Sequence, residues 1–463
     1  MGITAENIDA WTHERFLKNN MLNKQIANGK TSPLWQIFAM SKQKSGGGKD
    51  YEMPQWGSQK RTSGRHHRTV VARDAAGATG DRQVFKYNMI QNFDRVSTDR
   101  YVQQANAGEP GSFFDALEND IMQSVASMSI DIIKGFYGDQ SIGQIGQVST
   151  VAIASNKKSA TLTFTGSTSM IGLEKNMIIE LAAAKYDGST DSRRKSVGTD
   201  VDAKLMKIGN VNWDTSQVTV TPLNGANFTD SGAVNPAKDD YVWKEGEYIN
   251  ISPLKTQRVG LYDYAPETLS AGENFLDGDR SVSPHRLAMR YMGTSAPAST
   301  SDAGEVIYDA VVKSEVGVTR FFPEYGITHI VANPVVKAAL QLSKIFKTGV
   351  RWIENDATKK RVGAIGFSAF HVLGSKGDLP MIFDPFCPEH QVFGFYGPAF
   401  KVKYLSFDNN LVSFKQQSGS RVILDHTDNV NKLFLENYMF LCNSLMGCGF
   451  RINVGPALTG FSL

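Results

Sequence analysis

The clearest pattern in the chain runs through residues 112–136, SFFDALENDIMQSVASMSIDIIKGF, where Phe114, Leu117, Ile121, Val125, Met128, Ile132 and Phe136 recur at steps of three or four. That spacing places them on one stripe of a single long helix. Ser112 with Asp115 supplies an N-terminal capping pair, and Gly135 and Gly138 stand where such a helix would stop. At a rise of about 1.5 Å per residue it spans roughly 36 Å, enough to serve as a spine.

Between residues 143 and 252 the period changes from that of a helix to that of short strands: QVSTVAIA, ATLTFTG, NMIIELAAA, KLMKIGNVNW, QVTVTPL and GEYINI, divided by Gly, Ser, Asp and Asn turns. This predicts a small all-β domain. The long polar turn KYDGSTDSRRKSVGTD is expected to project from its surface. Residues 253–395 mix helix and strand. In GITHIVANPVVKAALQLSKIF an apolar strand meets Asn333 as cap and Pro334 as first helical residue, and AFHVLG, PMIFD and QVFGFYG follow as strands. Residues 396–455 hold AFKVKYLSF, LVSFKQQ, SRVILDH and GFRINV, a set of strands expected to form a sheet beside the long helix.

Ahead of the helix, residues 5–42 read as helical arm pieces, the second opening at SPLW with Ser32 as cap and Pro33 first in the helix. The stretch KSGGGKD is a joint: a phosphate loop would need Gly at Gln43 and Ser or Thr at Asp50. From 61 to 93, RTVVAR and RQVFKYNMI are strand-like runs separated by DAAGATGD, which predicts a long hairpin.

Composition sharpens this outline. With 463 residues, 41% hydrophobic and 21% charged, the chain is expected to fold into two or three domains rather than remain disordered. The formal charge of +3 hides a local excess: residues 1–73 carry twelve Lys and Arg against five Asp and Glu, +7, which leaves −4 for the remainder. The run SQKRTSGRHHRTVVAR, residues 58–73, has five of those cations, two His and no acid. Three cysteines, Cys387, Cys442 and Cys448, are an odd count that fits buried free thiols better than a disulfide framework. The opening residues lack an apolar signal-peptide core, and the most apolar late stretch, FLENYMFLCNSLMGCGF, is interrupted by Glu436, Asn437 and Asn443, so neither export by its own signal nor a membrane span is expected.

No spacing singles out catalytic chemistry. The cluster DPFCPEHQ brings Asp384, Cys387, Glu389 and His390 together, but Cys442 and Cys448 do not supply the paired ligands of a zinc site, and the cluster reads as a turn whose polar residues face water. HERFL has Leu17 where a zinc-protease helix places its second His, and GFSAF has Phe370 where a hydrolase elbow needs Gly. The expectation is a non-enzyme with no cofactor and no metal.

The order of these parts, and HIVANPVVKAALQLS followed by FSAFHVLGSKGDLPMIFDPFCPEHQVFGF within residues 305–405, resemble the major capsid protein of tailed double-stranded DNA bacteriophages, the Hong Kong 97-like family. RVGLYDYAPETL also resembles that family's return from an inserted domain. The resemblance implies an α+β Hong Kong 97-like fold: residues 1–50 as N-terminal arm, 51–105 as extended loop hairpin, 106–142 as the spine helix of a peripheral domain, 143–252 as an inserted β domain, 253–395 as axial domain, and 396–463 as the peripheral sheet and C-terminus.

It further implies a structural protein that self-assembles, as hexamers and pentamers, into the icosahedral head shell around a double-stranded DNA genome. Arg61, Arg65, Arg68, Arg73 and Arg82 would be inter-subunit contacts of the extended loop, pairing first with a neighbour's carboxylates and second with phosphate. The implied partners are other copies of the chain, a separate scaffolding protein, a portal, a decoration protein in some particles, and packaged DNA held without sequence preference on the inner face. No membrane is implied, and the setting is a virion capsid assembled in the host bacterial cytoplasm. A cellular nanocompartment shell of the encapsulin kind is the alternative within the fold. A β-rich surface adhesin is the alternative outside it, weakened by the missing signal peptide and cysteine pairs.

Overall fold

The computed structural model describes residues 5–12, 14–15, 32–42, 50–57, 82–99, 110–138, 144–164, 170, 173–184, 191–198, 201–228, 233–245, 248, 259–269, 271–272, 274–298, 302–343, 370–374, 377–405, 413–414, 422–425 and 430–458. The N-terminal third supplies helices α1 (Ala5–Thr12) and α2 (Leu34–Ile37), strands β1 (Ala39–Lys42), β2 (Asp50–Trp56), β3 (Arg82–Asn88) and β4 (Ile90–Asp99), and the long helix α3 (Pro110–Tyr137). Helix α3 exceeds the periodic stretch at both ends. It starts at Pro110, whose fixed φ and missing N–H suit a first turn, so Ser112 lies inside the helix and is not its cap. Gly135 is likewise interior; the stop is Gly138, in the left-handed region at φ +52 with its N–H donated to the Lys134 carbonyl.

The predicted β domain is a closed barrel of six strands, β5 (Gln144–Ile153), β6 (Ala160–Phe164), β7 (Ile178–Ala182), β8 (Leu205–Asn212), β9 (Gln217–Pro222) and β10 (Tyr241–Lys244), in the order β10-β5-β6-β9-β8-β7. Alternate residues point inward, so Val148, Leu162, Phe164, Leu181, Ile208, Val220 and Val242 fill a core of their own. The sixth barrel strand is Tyr241–Lys244; of GEYINI only Tyr248 is described, its ring packed on Trp243 and its N–H donated to Glu180, and the rest of that expected strand lies outside the described residues. One expectation is corrected here. The polar turn after β7 does not project over its described part, residues 191–198. Arg193 is buried there, bonded to Glu180 (2.8 Å) and Asp191 (2.9 Å), and Arg194 grips Asp240 (2.6 Å), so the charges that suggested exposure are paired.

The chain then forms α4 (Leu261–Tyr264), β11 (Asn274–Phe275), β12 (Gly278–Asp279), α5 (Pro284–Leu287), β13 (Arg290–Gly293), α6 (Ala303–Phe321), β14 (His329–Ala332), α7 (Pro334–Leu342), β15 (Phe370–Gly374), β16 (Gly377–Phe383) and β17 (Gln391–Phe395). As the sequence predicts, Asn333 caps α7 by accepting from the Val335 N–H at 2.9 Å, with Pro334 in the first turn. Helix α6 carries a full capping box: Asp302 accepts from the Glu305 N–H, and the Glu305 carboxylate accepts from the Asp302 N–H.

The last strands are β18 (Phe400–Leu405), β19 (Ser413–Phe414), β20 (Val422–Asp425), β21 (Val430–Asn443) and β22 (Gly449–Asn453). Strand β21 is the axis of the body sheet, with β4 along one flank and β18, β19 and β20 along the other, while β1 runs parallel to β18 at the edge. Helix α3 lies on this sheet and buries Leu117, Ile121, Val125, Met128, Ile132 and Phe136 in one core with Val96, Leu433, Leu435 and Met439. GFRINV does not join the body sheet: β22 crosses between β13 and β17 of the second sheet, β13-β22-β17-β14-β16-β15. The crossing needs Gly447 and Gly449, since a Cβ on Gly447 would lie 2.5 Å from the His285 carbonyl and one on Gly449 2.9 Å from that of Gly394.

Residues 32–42 are not a continuous helical piece. Helix α2 is a single turn, and the chain extends directly into β1. Leu34, Trp35 and Phe38 are buried in the body core, with Trp35 and Phe38 edge-on to Phe136 at 5.2 and 5.7 Å. So apolar a trio gains more from burial against its own molecule than from exposure on a free arm.

Candidate assembly surface

The hairpin leaves the body on strands β2 and β3, in a register that opposes Tyr51 to Tyr87, Met53 to Phe85, Pro54 to Val84 and Trp56 to Arg82. The first limb expected at RTVVAR lies outside the described residues. Strand β2 was not legible because Pro54 interrupts it, and proline is tolerated there because, among the described residues, β2 pairs on one side only, with β3.

The ribbon's two faces differ sharply. One is fastened: Met53, Phe85 and Tyr87 are buried, the Tyr87 ring stacks on Phe440 at 5.6 Å, and Gln55 donates its amide to the Asn443 carbonyl at 3.1 Å. Tyr264 donates its hydroxyl to Tyr87 (3.2 Å) and to the Leu441 carbonyl (3.1 Å), and burial pushes the Tyr87 phenol far above its ordinary range. Gly278 lets the Phe85 ring come down on β12, where a Cβ would meet it at 2.5 Å. The other face is more open, with Val84 and Lys86 half-buried and Lys86 paired with Asp277 at 3.6 Å. Glu52, Pro54 and Arg82 are exposed, and Trp56 is 60% exposed at the point where the described ribbon ends.

The sequence-predicted contact residues divide accordingly. Arg82 is on β3, exposed and opposite Trp56. Arg61, Arg65, Arg68 and Arg73 lie outside the described residues. Of the predicted helix stripe, the side chain of Phe114 is outside them too, and the other members line the body core. Trp56 escaped sequence reasoning; a tryptophan two residues after a proline in a polar run was the available signal.

A buried node around Asp384 ties the end of α3 and the segment ahead of α2 to the turn after β16. The Asp384 Oδ2 accepts from Tyr137 Oη at 2.7 Å and from Ser32 Oγ, and its Oδ1 accepts from the Phe386 N–H at 2.9 Å. The expectation that the polar residues of DPFCPEHQ face water is therefore corrected for Asp384 and Cys387, which are buried; His390 is exposed. A carboxylate with three donors can be buried where an unpaired one cannot. Burial nevertheless pushes the Asp384 carboxyl above its ordinary range, and burial together with Asp384 pushes the Cys387 thiol well up, which keeps it a thiol rather than a nucleophile. Among the described residues no group of three or more His, Cys, Asp or Glu could hold a metal ion, and no helix is long and apolar enough to cross a membrane.

The backbones of Gly138, ending α3, and Gly260, preceding α4, touch: a Cβ on Gly260 would lie 2.5 Å from the Gly138 nitrogen and 2.6 Å from the Tyr137 carbonyl carbon. Asp263 fixes the return by accepting from the Gly260 N–H at 2.9 Å.

No family model matches the sequence, and no curated protein matches it. Among solved structures, the chain is similar to a chain of the cyanophage A-1(L) capsid asymmetric unit, at 12% identity over 92% of each chain with a TM-score of 0.45. It is similar to a chain of the satellite phage P4 procapsid that includes the size determination protein, at 9% identity over 97% of this chain and 96% of that one, TM-score 0.37. It is also similar to a chain of the capsid of Myoviridae phage XM1, at 7% identity over 91% and 90%, TM-score 0.39.

Proposed function

We propose that this chain is a structural protein, the major capsid protein of a tailed double-stranded DNA bacteriophage, with a Hong Kong 97-like arrangement of hairpin, spine helix, peripheral sheet, axial sheet and inserted barrel. One observation carries the reading: the hairpin is anchored on one face, while the other is open at its described end, with Trp56 and Arg82 presented side by side. A two-stranded ribbon is marginal in water on its own; the body holds this one's fastened face, and the open end at Trp56 and Arg82 is left for a second surface. Tryptophan and arginine are the residue types that most often carry binding energy at the centre of an interface. Beyond Trp56 the sequence continues into the basic run 58–73, whose Arg61, Arg65, Arg68 and Arg73 are groups suited to a neighbour's carboxylates.

In this reading each copy lends its hairpin to an adjacent copy, hexamers and pentamers close into a shell, and the enclosed DNA is held by diffuse charge. A scaffolding protein and a portal act during assembly in the host cytoplasm. Sedimentation of the purified chain tests the proposal: large uniform particles support it, and a stable monomer at all concentrations refutes it. Particles that enclose protein cargo rather than DNA would move the reading to a nanocompartment shell.

A further inference from the structure

Two large apolar side chains are the most exposed among the described residues, Phe93 at 71% and Trp56 at 60%. Each stands directly opposite a charged residue in its own ladder: Trp56 opposes Arg82 across β2 and β3, and Phe93 opposes Glu436 across β4 and β21. Directly opposed residues of an antiparallel pair share one face, with Cβ atoms about 5 Å apart. The molecule thus presents two pairs of equal spacing, one an aromatic beside a cation and the other an aromatic beside an anion. The Phe93 pair lies on the face of the body sheet turned away from α3, since the alternating positions Val96, Leu433 and Leu435 are buried in the core and Asp94 accepts from Ser124 of α3 at 2.6 Å. Glu436 is half-buried, and its carboxylate accepts from Gln91 (3.2 Å) and Tyr438 (3.4 Å), both neutral donors; among the described residues no cation pairs with it.

The two pairs of one molecule do not meet. Gln55, next to Trp56, is bonded to Asn443, and Glu436 lies seven residues back along β21, about 24 Å away at the rise of a strand. We infer that they meet between copies: the Trp56 and Arg82 end of one hairpin seats on Phe93 and Glu436 of a second copy, ring against ring and guanidinium on carboxylate. Complementarity identifies the occupant. A carboxylate beside an exposed ring fits a partner that offers a cation beside a ring, and this chain carries that pair at the same spacing. Closing the contact takes both exposed rings out of water and gives Glu436 a charged donor in place of neutral ones. Because the two patches differ, the contact is head-to-tail, and its repetition closes a ring of copies rather than a pair. The inference rests on the shell reading of the hairpin and names the surface that receives it.

The test uses the full chain carrying Arg82→Lys, which keeps the charge, as an equal mixture of isotopically light and heavy protein. Assembled particles are treated with a carbodiimide, which activates a carboxylate so that a touching amine forms an amide while the reagent leaves as a urea. Digestion and mass spectrometry should find Glu436 joined to position 82, in light–heavy hybrid form. In a second arm, Arg82→Glu and Glu436→Arg should each slow assembly at least about tenfold, and the two together should return it to within about threefold of wild type. Circular dichroism of the unassembled subunit checks that each variant folds, and the cross-link decides alone if one does not. Particles without this link, a link confined to single chains, or folded variants whose combination does not recover would overturn the inference and leave the shell reading standing. A wild type that stays monomeric would overturn both.

Discussion

Tyr137, the last residue of the long helix, donates its hydroxyl to Asp384, in the turn after β16, at 2.7 Å. The bond ties the end of α3 to the second sheet at the level where the N-terminal segment is also held, since Ser32 donates to the same oxygen. Three parts of the chain far apart in sequence thus share one buried carboxylate.

Tyr137→Phe removes one donor and leaves that carboxylate under-satisfied, at a cost of about 2 kcal/mol in denaturant unfolding. Asp384→Asn gives the pH signature. Because burial raises the carboxyl above its ordinary value of 3.8, its ionised form opposes folding. The wild type should therefore gain stability relative to Asp384→Asn as pH falls from neutrality through the raised value toward the ordinary one. A stability difference that is flat over this window would contradict the assignment.

On the outer side of β7, Glu180 and Arg193 are a buried pair, whereas Asp191, which also holds Arg193, is about a third exposed. Glu180→Ala should cost about 3 kcal/mol by leaving the guanidinium without its buried partner. Asp191→Asn should cost no more than about 1 kcal/mol. Hydrogen exchange over β7 and β10 resolves the two.

Gly138→Ala and Gly225→Ala separate backbone conformation from packing. Both glycines have positive φ, +52 and +70, but the space beside Gly225 is open while a Cβ on Gly138 would lie 2.9 Å from Gly260. The Gly225 variant should lose about 1 kcal/mol from conformation alone. The Gly138 variant should lose about 2 kcal/mol more, because two backbones must separate. Equal losses by thermal unfolding would show that the Gly138 and Gly260 contact is not tightly packed.

Trp56→Ala and Arg82→Glu touch exposed positions, so each should leave unfolding of the isolated subunit within about 0.5 kcal/mol of wild type. Assembly should fail or slow at least about tenfold, the scale of a residue that carries interface energy. Light scattering during assembly, set beside subunit unfolding, distinguishes a contact role from a folding role.

The long helix and the barrel were legible because their periods are regular over many residues, and Asn333-Pro334 is a local signal that tertiary packing does not override. The errors have a common cause: the outcome was decided by partners distant in sequence. Asp384 reads as a solvated turn residue until Tyr137 and Ser32 arrive from elsewhere. Arg193 and Arg194 read as a projecting charged loop until Glu180 and Asp240 pair with them. GFRINV has the composition of any strand, and only the Gly447 and Gly449 contacts send it to the second sheet. Trp56 is the converse case, a residue whose meaning lies in a partner it does not find on the surface of its own hairpin.

Cryo-electron microscopy of the expressed chain tests the central claim most directly. The account predicts closed particles in which the hairpin continuing from Trp56 and Arg82 crosses onto the body of an adjacent copy. Dispersed single molecules, or a hairpin lying back over its own body, would contradict it.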